Sequence, residues 1–272
     1  MSDPAPDDGA PAPPGERLSA QREFFREVER DYWATAEGLK DEERALIEGR
    51  LDPAVSTLDA GTGGGRIARA LHAMGFAEVT GFDFAPELVQ AARASVPSGE
   101  VRFDVADATD LPYDDGSFGQ ALYLQQVIST IDDPAGREAA LREARRILRP
   151  GGIALFSFVC FEARERSVAG RAYLAYLRAH RAIRRDRRPL QSLPRIRPQG
   201  RVGTGALRDR GPYNWWYRAG EVEQALRAAG FETTGIGFAP AARAGELTAG
   251  AGEALRGELD VTLYAVARAG RT

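Results

Sequence analysis

Apolar positions along the chain recur in two alternating periods. Short apolar runs ending near Asp59, Asp83, Val105, Leu124 and Val159 read as strands, the later three over Val101–Val105, Gln120–Leu124 and Ile153–Val159. Between them lie helical patterns: one opens after Gly65, one starts at Pro86, and one runs over Pro134–Leu148 and stops at Arg149-Pro150-Gly151-Gly152. Farther on, Ala219–Ala229 reads as a helix, and Glu232–Phe238 and Leu259–Arg268 as strands. Strands alternating with helices predict an α/β fold whose mostly parallel sheet is covered on both faces. Ahead of this series, Ser19–Arg50 reads as helical, with Phe24, Phe25, Val28, Tyr32 and Trp33 recurring at helical spacing.

Composition refines this picture. The 272 residues, 43% of them hydrophobic, suffice for one full-sized domain with additions. The opening stretch MSDPAPDDGAPAPPGE is rich in Pro, Gly, Ala and Asp, so residues 1–18 are expected to be a disordered tail. It lacks the basic end and apolar middle of a signal peptide, and no run reaches the ~18 apolar residues that cross a membrane, so a cytoplasmic protein with no membrane partner is expected. The single Cys160 excludes an internal disulfide and a multi-cysteine metal site, and no metal is expected. Asp132 and Asp133 are adjacent acids, read as caps of the following helix.

The candidate chemistry begins at the first strand-to-helix turn, Asp59-Ala60-Gly61-Thr62-Gly63-Gly64-Gly65. Glycines there admit left-handed backbone and let a ligand lie on bare main chain, with the helix N-terminus offering free N–H groups. The dinucleotide fingerprint fails, because its final glycine would fall at Arg66 counted from Gly61 and at Ala68 counted from Gly63. A phosphate loop fails for want of Gly-Lys-Ser/Thr. Asp83 lies 18 residues beyond Gly65, near the offset at which a strand-end acid reaches a ribose.

These segments, in this order over residues 50–160, resemble the class I S-adenosylmethionine (SAM)-dependent methyltransferases: the glycine turn as motif I, Asp83 after strand two, Asp107-Ala108 after strand three, and Leu111-Pro112 with Asp115-Gly116-Ser117-Phe118 leading into strand four. The resemblance implies a Rossmann-like seven-stranded sheet with its last strand antiparallel and a helical and loop cap inserted after strand five. It implies SAM as cofactor, with S-adenosylhomocysteine (SAH) as product. Asp59, Gly61, Thr62, Gly63, Gly65, Asp83, Phe84, Asp107, Ala108 and Gln125 are the cofactor-binding candidates. The expected organisation is a helical lid over 19–50, the SAM-binding core over 51–160, the cap over 161–212, and the rest of the core over 213–272.

The resemblance leaves the substrate open. Related chains often carry a His-His or Glu-His pair after strand four, where this one has Ser129-Thr130, and Phe118-Gly119 stands where Phe-Asp is familiar. His180 and Tyr123 remain as candidate bases, and His72 is read as structural. Tyr32, Trp33, Gln126, Tyr213 and Trp216 are the candidate substrate contacts, within a wider aromatic group that includes Trp215 and Tyr217. From Glu162 to Arg218 there are fifteen arginines against four acids, with an amphipathic helix expected over Val168–Arg185 and a mobile loop over Pro189–Gly211. A net charge of −3 and no RNA-binding module make nucleic acid the minority partner. The expected function is O- or N-methylation of a small molecule, with a homodimer compatible. The alternatives are a non-methylating SAM-binding enzyme such as a cyclase, an RNA methyltransferase, and an inactive SAM-fold binding protein.

Overall fold

The computed structural model describes residues 30–97, 99–195 and 207–270. The tail and the apolar residues Phe24, Phe25 and Val28 lie outside them, as does 196–206 of the expected loop. The frame is a seven-stranded sheet of β1 (Thr57–Ala60), β2 (Val79–Asp83), β3 (Arg102–Val105), β4 (Phe118–Tyr123), β5 (Leu148–Val159), β8 (Phe231–Phe238) and β9 (Thr262–Ala269), in the order β3-β2-β1-β4-β5-β9-β8. Strand β9 runs antiparallel to both β5 and β8, while the β1, β2, β3, β4 and β5 pairings are parallel. This is the expected topology, with the last strand as the reversed one.

Central strands bury both faces, so their side chains divide between two apolar layers. From β4, Ala121 and Tyr123 join the layer of Leu58, Phe156 and Phe158, while Leu122 and the following Leu124 join that of Ile67, Leu71 and Val89. The second layer receives α2 (Asp41–Arg50), α3 (Arg66–Ala73) and α4 (Pro86–Ala94); the first receives α6 (Pro134–Arg146) and α9 (Ala219–Ala228).

Several boundaries differ from expectation. The predicted helix over Ser19–Arg50 is interrupted, with α1 (Arg30–Thr35) separated from α2 by a strap, residues 36–40. Gly38 takes a left-handed φ of 69°, and the carbonyls of Ala36 and Gly38 accept from Arg69 and Arg66 rather than from helical N–H groups. Helix α6 ends at Arg146 and β5 starts at Leu148, two positions inside the predicted helix. Gly119 has a packing reason: a Cβ there would sit 2.3 Å from Val55 Cγ1, so no aspartate fits.

After β5 the chain builds the cap from α7 (Phe161–Arg166), α8 (Val168–Ile183) and a two-stranded ribbon, β6 (Ser192–Pro194) against β7 (Tyr213–Trp215). Part of the predicted loop is therefore strand. Phe161, Leu174, Leu177, Leu193 and Trp216 share one small core with Val159. Many of the arginines are consumed here. Arg181 and Asp209, both buried, pair at 2.6 Å, and Arg181 also donates to the carbonyls of Pro189 and Ser192. Arg164 covers the Trp216 ring at 4.6 Å, and Arg218 pairs with Glu165 at 2.8 Å. The last short helices are α5 (Val127–Thr130), α10 (Ala239–Ala244) and α11 (Ala251–Ala254). Among the described residues no helix is long and apolar enough to cross a membrane.

Candidate active site

A cleft of about 890 Å³, its open mouth included, lies where β1, β2, β3 and β4 end. In an open parallel sheet this is the edge at which loops from neighbouring strands diverge and leave room for a ligand. Gly61, Gly63, Asp83, Phe84, Asp107, Ala108 and Gln125 line it together with Trp33, Leu88, Val127, Thr130, Ile131 and Arg195.

The glycine turn is built around positive φ at Gly61, Gly63 and Gly65, of 63°, 55° and 85°. Gly64 has another purpose: a Cβ there would lie 2.5 Å from the Ala34 carbonyl oxygen, and its N–H donates to Trp33 O at 3.0 Å. The fourth glycine therefore seats the end of α1 on the turn, and Trp33 reaches the cleft beside Gly63.

Asp59, Thr62 and Gly65, expected at the cofactor, are not among the residues that line the cleft. Asp59 Oδ2 accepts from Thr62 Oγ1 at 2.6 Å and from the Ala68 N–H at 3.2 Å, which ties strand, turn and helix together. Burial pushes its carboxyl up to about 7 against these bonds and the nearby Arg66. Asp83 does face the cleft. Its oxygens accept from the Gly63 and Ala85 N–H groups, both at 3.0 Å, yet burial still pushes it up to about 6. Asp107 Oδ1 is held by the Thr109 N–H and hydroxyl at 2.9 and 2.8 Å.

Gln125 and Gln126 follow β4 in left-handed conformation, φ 57° and 61°, an uncommon geometry of the kind that gathers at functional sites. Gln125 enters the lining. Gln126 turns toward the sheet instead, its N–H donating to Ser157 Oγ at 2.9 Å and its amide to Thr262 Oγ1 at 3.4 Å.

The expected bases are not in the lining. Tyr123 is fully buried and stacked on Phe156, and burial pushes its hydroxyl far above the usual phenol range. His180 stays in the cap beside Tyr176. Tyr213 and Trp216 serve the cap, Tyr213 under Arg188 at 4.1 Å. Tyr32 is exposed and meets Trp33 edge-on at 4.9 Å. Asp133 caps α6 through the Gly136 N–H at 2.8 Å, and no acid and histidine cluster suited to a metal occurs among the described residues. His72 is a surface residue paired with Glu100 at 3.0 Å.

Sequence reasoning missed Leu88, Arg195 and, behind the wall, Glu43 and Arg66. Glu43 had a signal: it shares a helical face with Leu46 and Ile47, where a carboxylate needs a partner. Arg66 was noted only as the residue that breaks the dinucleotide pattern.

Fold and cleft are of the Rossmann-like type found in solved SAM-dependent methyltransferases. Residues 58–156, about a third of the chain, match the family described as methyltransferase domain. It is 34% identical over 123 residues to O-methyltransferase cnsE of Penicillium expansum, a match covering 43% of each chain. It is 33% identical over 130 residues to the ubiquinone biosynthesis O-methyltransferase of Xanthomonas axonopodis pv. citri, covering 44% of this chain and 53% of that one. The chain thus spans about half the length of these curated relatives. Solved structures sharing the fold include a SAM-dependent methyltransferase from Methanosarcina mazei, with a TM-score of 0.61 at 20% identity, over 84% of this chain and 98% of that one. Another is the 1,6-didemethyltoxoflavin-N1-methyltransferase of Burkholderia thailandensis with bound substrate and SAH, with a TM-score of 0.58 at 19% identity, over 98% and 94%. The [4+2]-cyclase SpnF shares it too, with a TM-score of 0.53 at 21% identity, over 85% and 81%.

Proposed function

We propose that the chain binds SAM in this cleft and methylates an oxygen or nitrogen of a small molecule. One observation carries the reading: seven residues picked from sequence as cofactor contacts, Gly61, Gly63, Asp83, Phe84, Asp107, Ala108 and Gln125, converge on a single cleft. The donor set fits the cofactor. The Asp83 oxygens hold the Gly63, Phe84 and Ala85 N–H groups and, with about four lone-pair sites between them, keep room for a ribose hydroxyl. Asp107 and Ala108 stand where an adenine amino group is met in the resembled family, and Phe84 and Leu88 supply apolar walls. When bound, SAM supplies an electrophilic sulfonium methyl.

The chain's part is then mainly positioning, which contributes on the order of 7–11 kcal/mol when reacting groups are held in line. Among the described residues the only ionisable groups lining the cleft are Asp83, Asp107 and Arg195. Asp83 and Asp107 are engaged by backbone and Thr109 donors, so the fitting nucleophile is one that needs little help from a base, an amine or an acidic hydroxyl. In this reading Trp33 and the strap act as the lid over the cofactor.

The absent histidine pair keeps a second reading alive, a non-methylating reaction such as the cyclisation run on the same fold by SpnF. Methyl-labelled SAM incubated with the protein and a metabolite pool separates the two. Label in a small product together with SAH supports methyl transfer. A substrate rearranged without label, SAM being unconsumed, supports the cyclase. Label in RNA overturns the small-molecule class.

A further inference from the structure

Glu43 is a fully buried carboxylate on α2, outside the cleft and outside every motif of the resemblance. Its partners come from three parts of the chain. The Lys40 N–H donates to Oε2 at 3.0 Å, at the end of the strap. Arg66, the residue directly after the glycine turn, donates twice, Nη1 to Oε2 at 2.7 Å and Nη2 to Oε1 at 3.0 Å. The third partner is Gln125, whose side-chain amide Nε2 donates to Oε1. Arg66 Nη1 also reaches Gly38 O at 2.7 Å, so one guanidinium binds strap and carboxylate at once. A bidentate arginine fork fixes geometry as well as charge, and solvent screens this buried pair little.

What the cluster does follows from Gln125. A glutamine amide offers a donor end and an acceptor end, and a free side chain presents either to a ligand. Here the donor end is held by a carboxylate, which only accepts, so the amide cannot turn over without losing a charge-assisted bond. The residue that lines the cleft is therefore set to meet a ligand through its acceptor, Oε1. A ligand group that suits a fixed neutral acceptor beside the glycine turn is a donor, and a cationic donor gains most.

We propose that Glu43 is a positioning residue of the cofactor site: by holding the Gln125 amide in one orientation, and Arg66 at the foot of the glycine turn, it makes Gln125 Oε1 an acceptor for the ammonium group of the cofactor's amino-acid end. This rests on the reading of the cleft as a SAM site. It assigns the α2 helix a part in recognition, not only in packing.

The test is calorimetric binding of SAH and of its deaminated analogue, in which a plain methylene replaces the carbon bearing the ammonium. The wild-type protein is expected to prefer SAH by at least tenfold. Glu43→Gln, which keeps the shape but adds a donor facing the Gln125 amide, is expected to weaken SAH about tenfold and to leave the analogue nearly unchanged, so that the preference drops below about threefold. A role in packing alone would weaken both ligands equally. Should Glu43→Gln fail to fold, Gln125→Ala removes the acceptor while leaving the Glu43–Arg66 pair, and the same loss of preference is expected. Wild-type preference retained in either folded variant overturns the inference and leaves the cofactor reading intact. A wild-type protein that binds neither ligand overturns both.

Discussion

Asp83 is ordered by the backbone N–H groups of Gly63, Phe84 and Ala85, and burial still pushes its carboxyl up to about 6, outweighing those bonds. A ribose hydroxyl donates, so the cofactor favours the ionised form, and binding must strengthen as pH rises through that value. At pH 5 only about a tenth of the carboxyl is ionised, which predicts SAH binding roughly tenfold weaker at pH 5 than at pH 7.5. Asp83→Asn should bind weakly with that step removed. A wild-type affinity flat across the range would mean the ribose partner lies elsewhere. At this scale the sequence was most legible where one residue type has one physical use. Gly61, Gly63 and Gly65 were readable as left-handed positions, and Asp83 as a strand-end acid. Gly64 was not, since its purpose is the closeness of Ala34, thirty residues earlier in the chain. Nor was the difference between Gln125 and Gln126, which share a conformation and face opposite ways.

Elements were legible where periodicity and local caps agree, as in Pro86–Ala94, which starts at a proline, and Pro134–Arg146, which starts at Asp133. They were misread where a distant partner decides. The strap breaks a helical pattern because Arg66 and Arg69 take its carbonyls, and the β6–β7 ribbon forms from a stretch rich in proline because Trp215 and its neighbours arrive from twenty residues on. Two predictions belong here. Gly64→Ala places a methyl 2.5 Å from the Ala34 carbonyl oxygen, so the end of α1 must lift and carry the strap that follows it. Such overpacking costs about 1–3 kcal/mol. Hydrogen exchange should show the Gly64 amide and residues 36–40 losing protection, with β4 and β5 unaffected; unchanged protection would mean the strap is held elsewhere. In the cap, Asp209→Ala strands Arg181 in a site where both side chains are almost wholly buried. Removing one partner of a buried pair costs about 3–5 kcal/mol. Trypsin should then cut rapidly at Arg184, Arg185 and Arg187, while SAH affinity stays within about threefold, because, of the residues lining the cleft, only Arg195 belongs to the cap. Resistance equal to the wild type would show that the backbone carbonyls around Arg181 suffice to hold it.

For the whole molecule the most consequential group is Asp59, which joins β1 to the helix that opens the cofactor turn. Burial, the largest cause, pushes its carboxyl up to about 7 in the folded protein from an ordinary 3.8. The folded state thus keeps a proton between about pH 4 and pH 7 that the unfolded chain releases. Stability linked to this group is greatest at the acid end of that window and falls as pH rises through 7, since ionisation inside the core is then forced on the folded state alone. Between those two values the linked stability amounts to roughly 4 kcal/mol at most. Other carboxylates act in the opposite direction: Glu143 and Glu165 are held below their usual range by Arg146 and Arg218, and that stability is lost on acidification. The wild-type profile alone therefore mixes the two, and the informative quantity is a difference. Asp59→Asn cannot ionise, and keeps an oxygen able to accept from Thr62 and Ala68. Relative to wild type, the variant should gain stability from pH 5 to about pH 7 and level off above it, read as a gap in melting temperature that widens and then holds. Parallel profiles would mean that Asp59 is already ionised in the folded core at pH 5, with the Arg66 charge outweighing its burial. The same measurement at saturating SAH asks whether the cofactor, which would touch the turn above Asp59 and not Asp59 itself, leaves that gap unchanged, as the geometry requires.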